Sequence, residues 1–233
     1  MKAIYKRDLL SYFRGIGGYL FFTLYMLVCG YVFTLDNIIG SSGSLSQMYK
    51  ALGILFVIAV PFLTVKNSVD GRDLKTEQLL YVSAARVVLS KFAAVMSLIF
   101  GAVMLSWIYF GILSIFARPY ITEAVMCQAG LLLLCSCLTS LTAFISSIAH
   151  RKMQAYVMIF TLVLVFFVAN NLITLAGNTF YQRVFHVMGL FSCYSNFMSG
   201  IFNPLDLIYM LSFTAVFLCA CCIMTDRKRV KGA

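Results

Sequence analysis

The chain has 233 residues, of which 62% are hydrophobic and 11% are charged. Ordinary globular chains are about 45–50% hydrophobic and about 25% charged, so this composition excludes a soluble globular protein and predicts an integral membrane protein. The net charge of +10 does not indicate a nucleic-acid-binding protein, because the basic residues flank apolar runs and form no stripe on a soluble domain.

The first 14 residues predict an amphipathic helix that lies on the inner membrane surface. Apolar and aromatic residues recur at helical spacing, and basic and polar residues share the other side. The apolar side carries Tyr5, Leu9, Tyr12 and Phe13, and the polar side carries Arg7, Ser11 and Arg14. The alternative is the basic start of a signal peptide. It is disfavoured because the following apolar run is long and lacks a clear small-x-small cleavage site.

Six apolar runs predict six membrane-spanning helices, since about 20 residues cross ~30 Å of hydrocarbon. The second run is short and contains Pro61, and the sixth begins with Asn203 as an N-cap, Pro204 in the first turn and Asp206 behind it. A Gly/Ser-rich turn is predicted at 36–50. The predicted spans are 16–35, 51–65, 92–116, 124–149, 153–177 and 203–225.

Two other segments interrupt the spans. Residues 66–91 carry too many charges to lie in hydrocarbon, and their inner part, 70–82, predicts one short amphipathic helix with its acids Asp70, Asp73 and Glu77 early. We interpret it as the contact site of a soluble partner, the alternative being an ordinary solvated loop. Residues 178–203 mix polar and aromatic side chains and predict a pair of short helices at the outer interface.

The positive-inside rule sets the orientation. With both termini in the cytosol, only Lys50, Arg118 and Arg183 of the 18 basic residues lie outside. The sequence therefore predicts an all-α, multi-pass protein of a bacterial cytoplasmic membrane. Its single domain, 1–233, would hold six transmembrane helices, the interfacial helix 1–14, the cytosolic loop 66–91 with its coupling helix, and the outer helices 178–203.

No catalytic or nucleotide-binding motif occurs. The chain lacks GxxxxGK[ST] and HExxH, its eight cysteines include no CxxC, and no acid lies at mid-depth in a span. Ser136 and Ser140 in the fourth span, with Asn170 and Asn171 in the fifth, are candidates for a polar substrate path. Helix packing is the alternative for the serines and helix-to-helix hydrogen bonding for the amides. A disulfide between Cys127 and Cys193 stays open.

Three stretches resemble ABC transporter permeases of the type-2 exporter class, above all the permeases related to gliding-motility and antimicrobial-peptide exporters. The chain departs from that pattern at 82–85, which lacks the usual Pro, and at Ser90, where Gly is usual. The stretches are 5–9 (YKRDL) with 12–13 (YF) and 17–19 (GGY); 75–81 (KTEQLLY) with 86–92 (RVVLSKF); and 197–200 (FMSG) with 205–209 (LDLIY) and 213–218 (FTAVFL).

The resemblance implies a permease subunit that pairs with a second permease, identical or different, and docks a separate ABC ATP-binding subunit. ATP and magnesium would be bound by that partner, with no cofactor in this chain. The partners would thus be the ATPase, the second permease and membrane lipid, with no nucleic acid. The residues implied to contact the ATPase are Arg72, Asp73, Lys75, Thr76, Glu77, Gln78 and Leu79.

Two rival functions stay open from the sequence. One is a non-transporting membrane scaffold or sensor subunit, which would need the same spans but no ATPase. The other is an intramembrane enzyme, which would need a polar catalytic cluster that the sequence does not offer.

Overall fold

The computed structural model describes the backbone of residues 2–40, 43–73, 83–116, 121–149, 152–175, 190–200 and 202–231. Within these ranges the chain is helical and contains no strand. The helices are α1 (Lys2–Arg14), α2 (Ile16–Phe33) with a π-helical turn (Thr34–Ile39), α3 (Ser46–Asp73), α4 (Ala84–Leu105), α5 (Trp107–Phe116), α6 (Ile121–Ile148), α7 (Lys152–Leu175), α8 (Leu190–Met198) and α9 (Pro204–Lys231).

Five helical segments of the described chain are long and apolar enough to cross a bilayer, and they fall on five of the six predicted apolar runs. They are Ile16–Ile39, Ser46–Lys66, Ala85–Ile115, Ile121–Ile148 and Pro204–Arg227. The chain is therefore an all-α, multi-pass membrane protein. The fifth predicted span falls on α7, whose described apolar stretch, Met153–Val165, is shorter, so the sixth crossing stays a prediction.

Helix α6 lies at the centre of the bundle. It packs most extensively against α3 and α9 and also contacts α4, α7 and α8. Of its most apolar stretch 67% is buried, against 17% for the corresponding stretch of α9. Small side chains permit this close approach. The Cys137 thiol, for example, donates to the Met210 carbonyl of α9 at 3.3 Å, and the Cys221 thiol of α9 donates to the Ala143 carbonyl at 3.6 Å.

Helix α3 is longer than the sequence predicts. It begins at Ser46, runs through Pro61 and continues to Asp73. The span within this helix, Ser46–Lys66, starts five residues before the predicted 51–65 and ends within one residue of it, and the helix continues through Pro61 because proline is tolerated inside membrane helices. The predicted turn at 36–50 is correspondingly shorter, because the π-helical turn extends the preceding helix to Ile39.

The third crossing is broken at Ser106, between α4 and α5. Ser106 is fully buried, and its hydroxyl donates to the Val103 carbonyl at 2.6 Å. The same carbonyl accepts from Nε2 of Gln128 on α6 at 3.0 Å. The carbonyl group at the break is thereby satisfied, so the break leaves no unpaired acceptor at Val103 inside the bundle.

The helices alternate in direction, which gives the bundle two chemically different ends. Val65 near the end of α3 packs in one cluster with Ala149 after α6 and Ala155 in α7. We call this the basic end, because Arg14, Lys66 and Arg227 lie towards it. We call the opposite end the capped end, because α8 packs there against α3, α6 and α7.

Candidate functional site

The predicted ATPase-contacting segment begins at the end of α3 that lies at the basic end. Lys75, Thr76, Glu77, Gln78 and Leu79 lie outside the described residues, as do the side chains of Arg72 and Asp73. The backbone of residues 70–73 forms the last turn of α3. Residues 70–73 of the predicted helix 70–82 thus continue the membrane-spanning helix, and the rest of that predicted helix lies outside the described residues.

Helix α1 is attached to α3 close to that segment. Tyr12 is 2% exposed, and its hydroxyl donates to the backbone carbonyl of Leu63 at 2.7 Å. Leu63 lies in the part of α3 that leads to the charged segment. The predicted amphipathic helix 2–14 is thus confirmed as α1, and it packs on α2 and α4 as well.

The buried face of α1 differs from the predicted one. Ile4, Asp8 and Tyr12 are the buried residues, at a spacing of four, while Phe13 is 39% exposed. Asp8 is 4% exposed and forms an ion pair with Arg7, whose Nε lies 3.1 Å from Oδ1. Burying an unpaired carboxylate would cost free energy, and the ion pair with Arg7 reduces that cost. The apolar pattern of the sequence did not predict that Asp8 is buried.

Lys66 lies where α3 passes the start of α2. A Cβ atom added to Gly17 would lie 3.0 Å from the Lys66 ammonium, and one added to Gly15 would lie 3.1 Å from it. Because neither glycine carries a side chain, the Lys66 ammonium can lie against the backbone of Gly15 and Gly17. Gly15 caps α2 in an extended conformation without a side-chain hydrogen bond, and no described carboxylate forms an ion pair with Lys66.

Of the four residues of the predicted polar path, the structure describes the side chains of the two serines but not those of the two asparagines. The hydroxyl of Ser136 donates to the Leu133 carbonyl at 2.7 Å, and that of the fully buried Ser140 donates to the Cys137 carbonyl at 2.8 Å. The side chains of Asn170 and Asn171 lie outside the described residues. Hydroxyls bonded to their own helix support the packing alternative, and substrate contact stays a prediction.

The capped end contains a cluster of polar groups that sequence reasoning missed. Tyr49 at the start of α3 shares a hydrogen bond of 3.2 Å with the Ser106 hydroxyl, and the Tyr194 hydroxyl of α8 donates to the Tyr49 carbonyl. The buried hydroxyl of Tyr25 has no hydrogen-bond partner among the described residues. The only sequence signal was the occurrence of tyrosines inside apolar runs.

Helix α8 fits onto α3 and α6 at two glycines. A Cβ atom at Gly53 would lie 2.6 Å from the ring of Tyr194, and one at Gly130 would lie 2.5 Å from Cβ of Phe197. A residue larger than glycine at either position would clash at these distances. The two glycines therefore leave the space in which the aromatic side chains of α8 pack. Helix α8 falls in the second half of the predicted outer segment 178–203, and the first half lies outside the described part of the chain, so the position of this segment at the outer interface stays a prediction.

A polar contact joins α8 to the start of α9. Nδ2 of Asn196 donates to Oδ2 of Asp206 at 2.8 Å, and the predicted N-cap is confirmed because the Leu205 amide donates to Oδ1 of Asn203 at 3.2 Å. Burial, followed by the nearby Asp206 carboxylate, raises the pKa of the Cys193 thiol to about 12. Cys193 therefore stays protonated at neutral pH. Cys127 and Cys193 are both free thiols.

The chain matches no protein-family model, and no curated protein is similar to it. In the part of the chain that is described, no group of three or more His, Cys, Asp or Glu side chains could hold a metal ion. The two ends of the bundle therefore carry the structural features that bear on function.

Proposed function

We propose that this chain is the membrane-spanning permease subunit of an ATP-driven ABC exporter, with six crossings and both termini in the cytosol. One observation supports the proposal above others. A membrane-spanning helix, α3, runs unbroken into the charged segment and is tied to the amphipathic α1 by the Tyr12–Leu63 hydrogen bond. A force applied to that segment by a soluble partner would act directly on two helices.

In this proposal the ATPase contacts Arg72, Asp73, Lys75, Thr76, Glu77, Gln78 and Leu79. It drives transport only if those contacts differ between its ATP-bound and ATP-free states, because a partner with equal affinity for both conformations of the permease shifts neither. The displaced α3 would carry α1 with it. The substrate would then pass between two permease subunits, since the described hydroxyls of α6 are bonded to their own helix.

The proposal is tested by the double substitution of Glu77→Ala and Leu79→Ala in the assembled complex. We expect the variant to insert and to retain its helical content, but to lose the stimulation of ATPase activity by exported substrate. The matched control is Glu123→Ala with Leu205→Ala, which removes one carboxylate and one exposed leucine at the capped end. ATP hydrolysis is measured with the purified complex in nanodiscs.

Two results would contradict the proposal. One is unchanged coupling in the Glu77/Leu79 variant. The other is the absence of a P-loop ATPase, in about equal amounts, from the complex purified with this chain out of its native membrane.

A non-transporting scaffold or sensor subunit is the second candidate. The observation in its favour is the closely packed α6, whose described Ser and Thr side chains fill helix contacts. A scaffold would co-purify with membrane partners that lack a P-loop, and its removal would not change export by them.

A further inference from the structure

A large apolar groove runs along the outside of the bundle between α2 and α3. Its volume is 760 Å³, and Tyr156 of α7 completes its wall. Its apolar wall includes Leu20 and Leu24 on α2 and Ile58, Ala59 and Phe62 on α3. All of these side chains except Ala59 are well exposed. The groove is therefore open towards the surrounding lipid.

The groove is charged at one end only. Lys66 closes it at the basic end, where its ammonium lies against Gly15 and Gly17 and pairs with no described carboxylate. The side chain is only partly exposed, and the uncapped first turn of α2 lies beside it. Helix N-termini favour anions, so both groups add to a positive potential at this end.

The length of the groove matches one leaflet of a bilayer. The eleven steps from Leu55 to Lys66 along α3, at about 1.5 Å each, cover about 16 Å. Half of the ~30 Å hydrocarbon core is about 15 Å. An acyl chain lying in the groove would thus place its headgroup at the depth of Lys66.

We propose that this groove binds an anionic phospholipid of the leaflet at the basic end, with an acyl chain between α2 and α3 and the phosphate on Lys66. The apolar wall provides the hydrophobic contact, and Lys66 selects for negative charge. A second copy of this chain is a poorer occupant. In a two-fold assembly it would bring its own basic end alongside and supply no counter-charge. The proposal does not depend on the export function.

The test compares lysines at the two ends of one helix. The full chain is reconstituted in nanodiscs of equal parts phosphatidylglycerol and phosphatidylcholine, re-extracted in mild detergent, and its bound lipids are counted by native mass spectrometry. Because one basic residue near an anionic surface contributes about 1 kcal/mol, Lys66→Ala should lower the ratio of bound phosphatidylglycerol to phosphatidylcholine about fivefold. Lys66→Arg and the control Lys50→Ala should leave the ratio unchanged.

A second pair of variants tests the apolar wall. Ala59→Trp fills the groove and should remove both lipids from the complex, while Ala93→Trp, at an exposed position of α4, should remove neither. The proposal is overturned by equal ratios in Lys66→Ala and Lys50→Ala, or by unchanged lipid in Ala59→Trp. It is also overturned if single cysteines at Leu24 or Ile58, in a chain without its native cysteines, cross-link two copies in the membrane.

Discussion

The two ends of the bundle are assembled by different means. At the capped end, aromatic side chains of α8 fit against glycines of α3 and α6, and Asn196 bonds to Asp206. At the basic end, α1 is attached to α3 by one described hydrogen bond, that of Tyr12, and a charged groove opens beside it. Side chains fitted against glycines, together with hydrogen bonds, hold the first end together, whereas the second combines the Tyr12 hydrogen bond with an apolar cluster around Val65 and leaves a groove open.

The difference indicates which end of the bundle is displaced more easily. Interlocked side chains have few alternative arrangements, because interiors packed at crystal-like density tolerate little displacement. At the basic end the groove leaves Leu20, Ile58 and Phe62 exposed, so fewer packed contacts oppose a displacement of α2 and α3 there. We therefore expect the capped end to stay fixed while the basic end moves.

The largest effect is expected from Gly130→Ala, which breaks the fixed end. The new Cβ would lie 2.5 Å from Cβ of Phe197, an atom that cannot move without its helix. Overpacking of this kind should lower the free energy of unfolding by about 2–3 kcal/mol. The control is Gly111→Ala, which meets no atom within 4 Å and should raise that free energy by up to about 1 kcal/mol, since alanine favours helix.

Both variants are measured by unfolding in mixed micelles with increasing sodium dodecyl sulfate. Equal stabilities for Gly130→Ala and Gly111→Ala would show that α8 is not locked onto α6, and the contrast between the two ends would be lost.

Asp206→Ala tests the polar contact of the same end. The change leaves the Asn196 amide without its carboxylate, and hydrogen bonds to charged groups contribute about 1.5–3 kcal/mol. We expect a loss of stability of about 2 kcal/mol in the same unfolding assay. Asp226→Ala, at an exposed position near the other end of α9, should have little effect. If the two aspartate variants unfold alike, the Asn196–Asp206 contact does not hold α8 in place.

The smallest effect is expected from Tyr12→Phe at the basic end. The variant loses only the hydroxyl bonded to Leu63, and hydrogen bonds between membrane helices average about 0.6 kcal/mol. Hydrogen exchange of α1 should become faster, with the exchange of α8 unchanged. Tyr19→Phe, with an exposed ring, serves as the control. Faster exchange throughout the bundle would mean that the Tyr12 contact supports the whole fold and not α1 alone.

The sequence predicted what depends on length and local spacing. Apolar runs located five spans, the i, i+4 pattern located α1, and Asn203-Pro204 located the start of α9. It could not predict what depends on neighbours in space. The burial of Asp8 depends on how α1 packs, and the fit of Phe197 onto Gly130 depends on the alignment of two distant helices.

Two local features were also beyond the sequence. The apolar run 51–65 predicted a short second span, whereas α3 begins at Ser46 and continues to Asp73, because polar and charged residues extend the helix at both ends. The break at Ser106 has no proline or adjacent glycine to mark it. Its cause is tertiary, because Gln128 on α6 supplies the hydrogen bond that makes the break tolerable.

The break at Ser106 divides the third crossing into two helical sections joined by a hinge. Its lower section, α4, contacts α1, while Tyr109 in its upper section, α5, donates to the Met26 carbonyl of α2. A tilt given to the lower section can be taken up at Ser106, because the Val103 carbonyl already has two donors from outside the regular helical ladder. A displacement of the basic end would then diminish at this hinge before it reaches the capped end.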